Sequence, residues 1–176
     1  AWPAHYTPNM GRTATITNSP NCTCPLFKTF QSFSRVGTNN NNPAGPFTRL
    51  GWNYVSKMSD CLDGLSNTIY MGEVRADCSD HARAGWSHSN KWGTFTQAGI
   101  NFDTCYPNVA EARREGKDPC YARCNWNSEA SFKSLHPGGC QFVFGDGGVR
   151  YLAQNIDLKT YNWLGDKADR KAVSAP

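Results

Sequence analysis

The 176 residues contain no run of about 18 apolar side chains, the length a helix needs to cross a bilayer. Charge of either sign is sparse: 18 basic and 14 acidic residues leave a net +4 at pH 7. The densest basic stretch, Arg113, Arg114 and Lys117, is broken up by Glu111, Glu115 and Asp118. Nucleic-acid binders gather their basic residues on one face, so a nucleic-acid partner is set aside. Hydrolase signatures are missing as well, with neither a G-x-S-x-G elbow nor an H-E-x-x-H pair, and there is no D-x-D-x-D-G calcium loop. Little of the chain has helical periodicity, which leaves strands and ordered loops as the bulk of the fold.

What the chain has in quantity is cysteine. Eight of them, Cys22, Cys24, Cys61, Cys78, Cys105, Cys120, Cys124 and Cys140, form an even number in a loop-rich chain, which points to disulfides and an extracellular or cell-surface location. Zinc is the rival, through Cys120 and Cys124 with Cys105 upstream. A structural zinc site brings two ligand pairs in short loops, and here the second pair would have to come from Cys22 and Cys24. The sequence does not choose among the many possible disulfide pairings. Closure of Cys105 with Cys120 or Cys124 is expected, because the polar segment between them is costly to order and a disulfide lowers that cost through the unfolded state.

The length fits one domain. Residues 1–46, rich in Pro, Asn, Thr and Ser, read as an extended polar arm whose one strand-like piece is Thr13–Thr17. Residues 47–176 read as a globular β-rich domain. Within it, Phe47–Leu50 and Trp52–Val55 are strand material, Asp63-Gly64 marks a turn, and Asn67–Val74 is a strand rich in β-branched and aromatic residues. Residues 76–130 carry only one helical hint, Asn108–Lys117. Further on, Gln141–Phe144 and Val149–Leu152 form a hairpin across Gly145-Asp146-Gly147-Gly148. Asp157 then caps a short helix with Leu158, Tyr161 and Leu164 on one face and Gly165 at its end. The expected fold is α+β, mainly β: a small antiparallel sheet with long disulfide-stapled loops, an extended N-terminal arm and a short C-terminal helix.

Several groupings could carry chemistry. His136 and Asp146 supply two members of a hydrolase triad, with Ser66, Ser131 and Ser134 offering hydroxyls. The turn reading is stronger: His136 orients a turn and Asp146 accepts backbone donors within its own turn. Asp60, Asp63, Asn67 and Glu73 lie close in sequence as oxygen ligands, so calcium is the one metal left open. Trp52, Trp86, Trp92, Trp126 and Trp163, accompanied by many Asn residues, suit a surface glycan or equally a core, since aromatic faces serve both uses. Asn21-Cys22-Thr23 is an N-glycosylation acceptor pattern.

The run His136-Pro137-Gly138-Gly139, then Phe142 to Gly147, Val149 to Leu152 and Ile156 to Tyr161, resembles the His-x9-Asp-Gly ending of a large planctomycete family, the domain of unknown function 1559. Asp63-Gly64-Leu65-Ser66-Asn67-Thr68, continued to Gly72-Glu73, resembles that family's "DGTSNT...GE" strand. Cys78, Trp86 to Asn90, Ile100 to Asp103 and Cys124 to Asn127 resemble one subgroup, and the likeness covers residues 47–170. Full-length members resemble type II secretion pseudopilins with a hydrophobic helix ahead of the globular part, and no such helix lies within these 176 residues. The resemblance implies a non-enzymatic, exported, pseudopilin-like structural protein without a cofactor, self-associating as a homo-oligomer or extracellular filament, with the motif residues serving architecture. Cys61 and Cys140 stand where members usually carry other residues, inside matching motifs, and are expected to pair with each other. A glycan- or calcium-binding module is the second reading, and a hydrolase using His136 and Asp146 the third.

Overall fold

The structure is a computed structural model that describes residues 6–9, 11, 24, 26, 44–47, 54–83, 94–123, 126–171 and 173. No helix among them is long and apolar enough to cross a membrane. Four strands, β1 (Tyr6–Pro8), β2 (Ile69–Glu73), β3 (Gly139–Phe144) and β4 (Val149–Ala153), form one antiparallel sheet in the order β1-β2-β3-β4. Among the described residues, four short helices accompany it: α1 (Asp80–Arg83), α2 (Val109–Arg114), α3 (Trp126–Glu129) and α4 (Leu158–Gly165). The mainly β fold expected from the sequence is the fold observed.

Alternation along β3 explains where the core sits. Cys140, Phe142 and Phe144 are fully buried while Gln141 and Val143 between them are not, so one face of the sheet turns inward. Phe142 packs edge-on against Phe132 at 5.2 Å and Tyr161 at 6.0 Å between ring centroids. Tyr161 and Leu164 bring α4 onto this face. Each such buried side chain contributes about 1.5–3 kcal/mol, which makes this cluster the main stabilising term. Helix α4 begins where expected: the Asp157 carboxylate accepts from the Thr160 amide at 2.8 Å, satisfying one of the free N–H groups at a helix start. Asn108 does the same for α2 by accepting from the Glu111 amide.

The long loops are held by sulfur. Cys24 joins Cys120, and Cys78 joins Cys105. The first bond anchors a small second cluster with Ala98, against which Phe102 and Tyr121 pack. These pairings correct the expected closure of Cys105 onto Cys120 or Cys124; Cys22 and Cys124 lie outside the described residues. Cys61 and Cys140 do not pair with each other either, and both are free, buried thiols. Cys140 is on the core face of β3, donating to the Asn101 side-chain oxygen at 3.4 Å, whereas Cys61 lies 3.1 Å from the Tyr70 hydroxyl. Sequence departures inside two motifs reported substitutions at two separate packing sites rather than one bond.

The described parts of residues 1–46 lie against the domain: Tyr6–Pro8 is the edge strand β1, paired with Met71–Glu73. Asn9 is fully buried, with its side-chain nitrogen donating to the carbonyls of Ile69 and Gly165 at 2.8 Å each. Asn9 thus ties the N-terminal segment to β2 and to the end of α4. The polar composition hid this strand, because a three-residue edge with a proline gives little periodic signal. Tyr54 and Val55, expected in a strand, are irregular, while Thr13–Thr17 lies outside the described residues.

Candidate functional site

The motif residues fall at three places around the sheet. At the hairpin turn, Gly147 has φ +81°, a conformation that glycine adopts without a Cβ clash. Asp146 accepts from the Gly148 amide at 2.8 Å and from Arg150 through both carboxylate oxygens, at 3.2 and 2.6 Å. These donors hold its carboxyl below the usual range, the Arg150 hydrogen bond contributing most. Arg150 also lies over the Phe144 ring at 4.5 Å. Asp146 is therefore a turn clamp.

His136 is at the other end of β3. The six residues of β3 span about 20 Å at roughly 3.3 Å each, so His136 and Asp146 cannot share a reacting atom, and the couple weighed from their spacing does not exist. His136 instead faces Glu73, its Nε2 lying 3.4 Å from a carboxylate oxygen. The other Glu73 oxygen accepts from the Gln141 amide at 2.7 Å. Gly138 leads into β3 and Gly139 opens it, where a Cβ would lie 2.2 Å from the Leu152 carbonyl oxygen. Among the described residues, no hydroxyl is placed to serve the imidazole as a nucleophile. Ser134 accepts from the backbone amide of His136, Ser131 donates to the Ser128 carbonyl, and Ser66 is exposed in the 3-10 turn Leu65–Asn67.

Glu73 and His136 line a cleft of about 370 Å³ with Tyr6, Arg75, Asp77 and Leu135. Its charges are largely matched: Arg75 donates to Asp77 at 2.6 and 3.3 Å, beside the Glu73–His136 pair. An imidazole next to a carboxylate can move a proton, but among the described residues this cleft brings no nucleophile and no cluster of metal ligands to it.

The third place is the Asp63-Gly64 turn. Both carboxylate oxygens of Asp63 accept backbone amides, from Asp169 and Arg170, at 2.8 Å each, so the turn pins the chain after α4. Asn67 donates to the Asp63 carbonyl at 3.1 Å, and Asp60 accepts from the Tyr54 hydroxyl and the Lys57 amide. The four residues considered for calcium thus serve separate partners, Glu73 being at the cleft. Among the described residues, the one grouping of three with metal-ligand spacing is Asp77, Cys78 and Cys105, and its two sulfurs are consumed in a disulfide. Of the tryptophans, Trp163 is half-buried under Lys159 at 4.8 Å and Lys171 at 6.0 Å. The side chains of Trp52, Trp86, Trp92 and Trp126, and all of Asn21, lie outside what is described.

Two residues that sequence reasoning missed hold the site together. Asn101, at φ 59°, accepts from the Ser134 amide at 2.7 Å and donates to the Gly139 carbonyl at 3.3 Å, joining the cleft wall to the start of β3. Asn tolerates this left-handed conformation better than most residues, and its place after Gly99-Ile100 was the available signal. Lys133 is fully enclosed, its ammonium donating to the Ser131 hydroxyl at 2.7 Å and to the carbonyls of Glu129, Ser131 and Ser128 at 3.0 to 3.4 Å. Burial pulls its pKa down to about 7. A lone lysine in a polar loop carries no sequence mark of burial.

Neither the curated proteins nor the solved structures contain a match to this chain. Residues 8–159 match the family described as protein of unknown function (DUF1559), and with that stretch covering most of its length the chain belongs to this family.

Proposed function

We propose that this chain is a non-enzymatic, exported structural protein of pseudopilin-like kind that associates with copies of itself at the cell surface, as an oligomer or a filament subunit. The observation that supports it best is how the family-like motif is used. Asp63, Glu73 and Asp146 all direct their carboxylates to backbone amides, and among the described residues His136 has no nucleophile beside it. Acidic groups committed in this way hold turns rather than transfer protons. The Cys24–Cys120 and Cys78–Cys105 disulfides agree with an oxidising compartment. In this reading the protein requires no cofactor, and Asn21 is its site for glycan attachment.

Sedimentation of the oxidised protein over a wide concentration range tests the reading. Species larger than the monomer are expected to grow with concentration, and a chain that stays monomeric throughout overturns it. A His136→Ala variant should keep that self-association, because His136 serves the local turn.

A further inference from the structure

The two edges of the sheet differ. In an antiparallel pair, facing residues alternate between exchanging backbone hydrogen bonds and turning those groups outward. The Gln154 amide donates to the Gly138 carbonyl at 2.7 Å and the Phe144 amide to the Gly148 carbonyl at 2.9 Å, which fixes the phase of the β3–β4 ladder. Cys140 with Leu152, and Phe142 with Arg150, are then the bonded pairs. Val149, Tyr151 and Ala153 turn their amides and carbonyls away from β3, and among the described residues only the Ala153 oxygen has another partner, the Ile156 amide at 3.1 Å.

At the opposite edge, Pro8 has no N–H to offer and its carbonyl accepts from the Thr94 amide at 3.1 Å. The Thr7 and Thr94 hydroxyls are hydrogen-bonded, and Asn9 bridges Thr94 in parallel. That edge is blunted by the usual devices, a proline and a covering segment. Strand β4 has neither among the described residues. Its one charge, Arg150, is tied to Asp146 and to the Phe144 ring, while Val149 and Tyr151 are 64% and 43% exposed on the outer face.

We infer that β4 pairs with β4 of a second copy of this chain about a two-fold axis through Tyr151, which rests on the self-association reading above. The strand complements itself in one register: Tyr151 opposes the partner's Tyr151, and Val149 opposes the partner's Ala153. This places four outward groups per chain, the Val149 carbonyl, the Tyr151 amide and carbonyl and the Ala153 amide, in hydrogen bonds with the partner and lays β-branched, aromatic and small side chains across from one another, as cross-strand pairs favour. Because the β1 edge is covered, the contact is isologous and closes on a dimer; a filament needs a second surface. Five residues a side bury less than the roughly 800 Å² per partner of a stable interface, so the dimer is weak and depends on concentration.

Cysteine cross-linking reads the register. Residues opposed in a bonded pair have Cα atoms about 5.5 Å apart, within disulfide reach, whereas residue 149 and its own copy would be separated by about 14 Å. Val149→Cys and Ala153→Cys proteins, each checked for native near-ultraviolet circular dichroism, are mixed and mildly oxidised beside the parent protein. The expected result is a 149–153 bridge, identified by peptide mass, in the mixture only. Self-association without that bridge, or linkage of either variant to itself as readily as in the mixture, overturns this interface and leaves the proposed function standing. A parent chain monomeric at every concentration overturns both.

Discussion

Replacing Asn101 tests how much of the fold depends on one residue. Its oxygen accepts from the Ser134 amide at 2.7 Å and the Cys140 thiol at 3.4 Å, and its nitrogen donates to the Gly139 carbonyl and the Gln154 side chain at 3.3 and 3.2 Å. Asn101→Gly removes all four contacts but suits φ 59°. The partly buried Ser134 amide loses its acceptor, worth about 1–3 kcal/mol, and the longer bonds add some tenths each, so a loss of about 2 kcal/mol is expected. Asn101→Ala loses the same bonds and also places a Cβ in the left-handed region, at a further ~1 kcal/mol. For a chain of this size each kcal/mol lowers Tm by about 2–4 °C, so the Ala variant should melt roughly 10 °C below the parent. Urea unfolding of the disulfide-intact proteins gives both differences. If Ala costs no more than Gly, the backbone conformation contributes nothing; if both lie within about 0.5 kcal/mol of the parent, Asn101 does not clamp the cleft wall to the hairpin.

Three further perturbations address the core and its buried polar groups. In Gly72→Ala the new Cβ would lie 2.5 Å from the Phe132 ring and 2.7 Å from the Phe142 ring, so overpacking should cost about 1–3 kcal/mol, and an unchanged urea midpoint would show that the rings yield freely. Tyr161→Phe removes a fully buried hydroxyl that has no partner among the described residues; thermal melting should show it neutral or stabilising by up to about 1 kcal/mol, and a clear drop in Tm would reveal a partner. Lys133, with its folded pKa lowered to about 7 from the usual 10.5, keeps its proton in the unfolded chain at pH values where the folded chain has lost it. Its contribution to stability therefore rises with pH above about 7, by at most about 1.4 kcal/mol per pH unit. Lys133→Met should remove that slope in urea titrations between pH 6.5 and 8.5, and parallel pH curves would mean that the ammonium stays charged in its carbonyl cage.

The parts of the fold legible in the sequence are those whose signal is local. The β3–β4 hairpin showed as two alternating runs around glycines, and the starts of α2 and α4 showed as Asn108 and Asp157, because a cap or a turn is written within a few neighbouring residues. Strand β1 was not legible: its partner Met71–Glu73 is more than sixty residues away, and Tyr6-Thr7-Pro8 has no periodicity of its own. The disulfides failed for the same reason, Cys24 and Cys120 being 96 residues apart. At the site, the spacing of His136 and Asp146 suggested a pair that the strand between them separates. The partner His136 does face, Glu73, lies on another strand and was visible only as a motif residue.

The positions of the motif residues also bear on the open edge. A strand that accepts a partner loses less entropy when it is already held in place, and both ends of the hairpin are fixed. At the turn, Asp146 holds Gly148 and Arg150; at the other end, the Tyr151 hydroxyl donates to the Pro137 carbonyl at 2.7 Å and the Gln154 amide to Gly138. The residues that resembled a reactive constellation thus keep β4 extended with its outward groups in line. On this argument, loosening the turn with Asp146→Ala should weaken the two-fold contact by more than the loss of any single edge side chain, even though Asp146 itself lies outside β4.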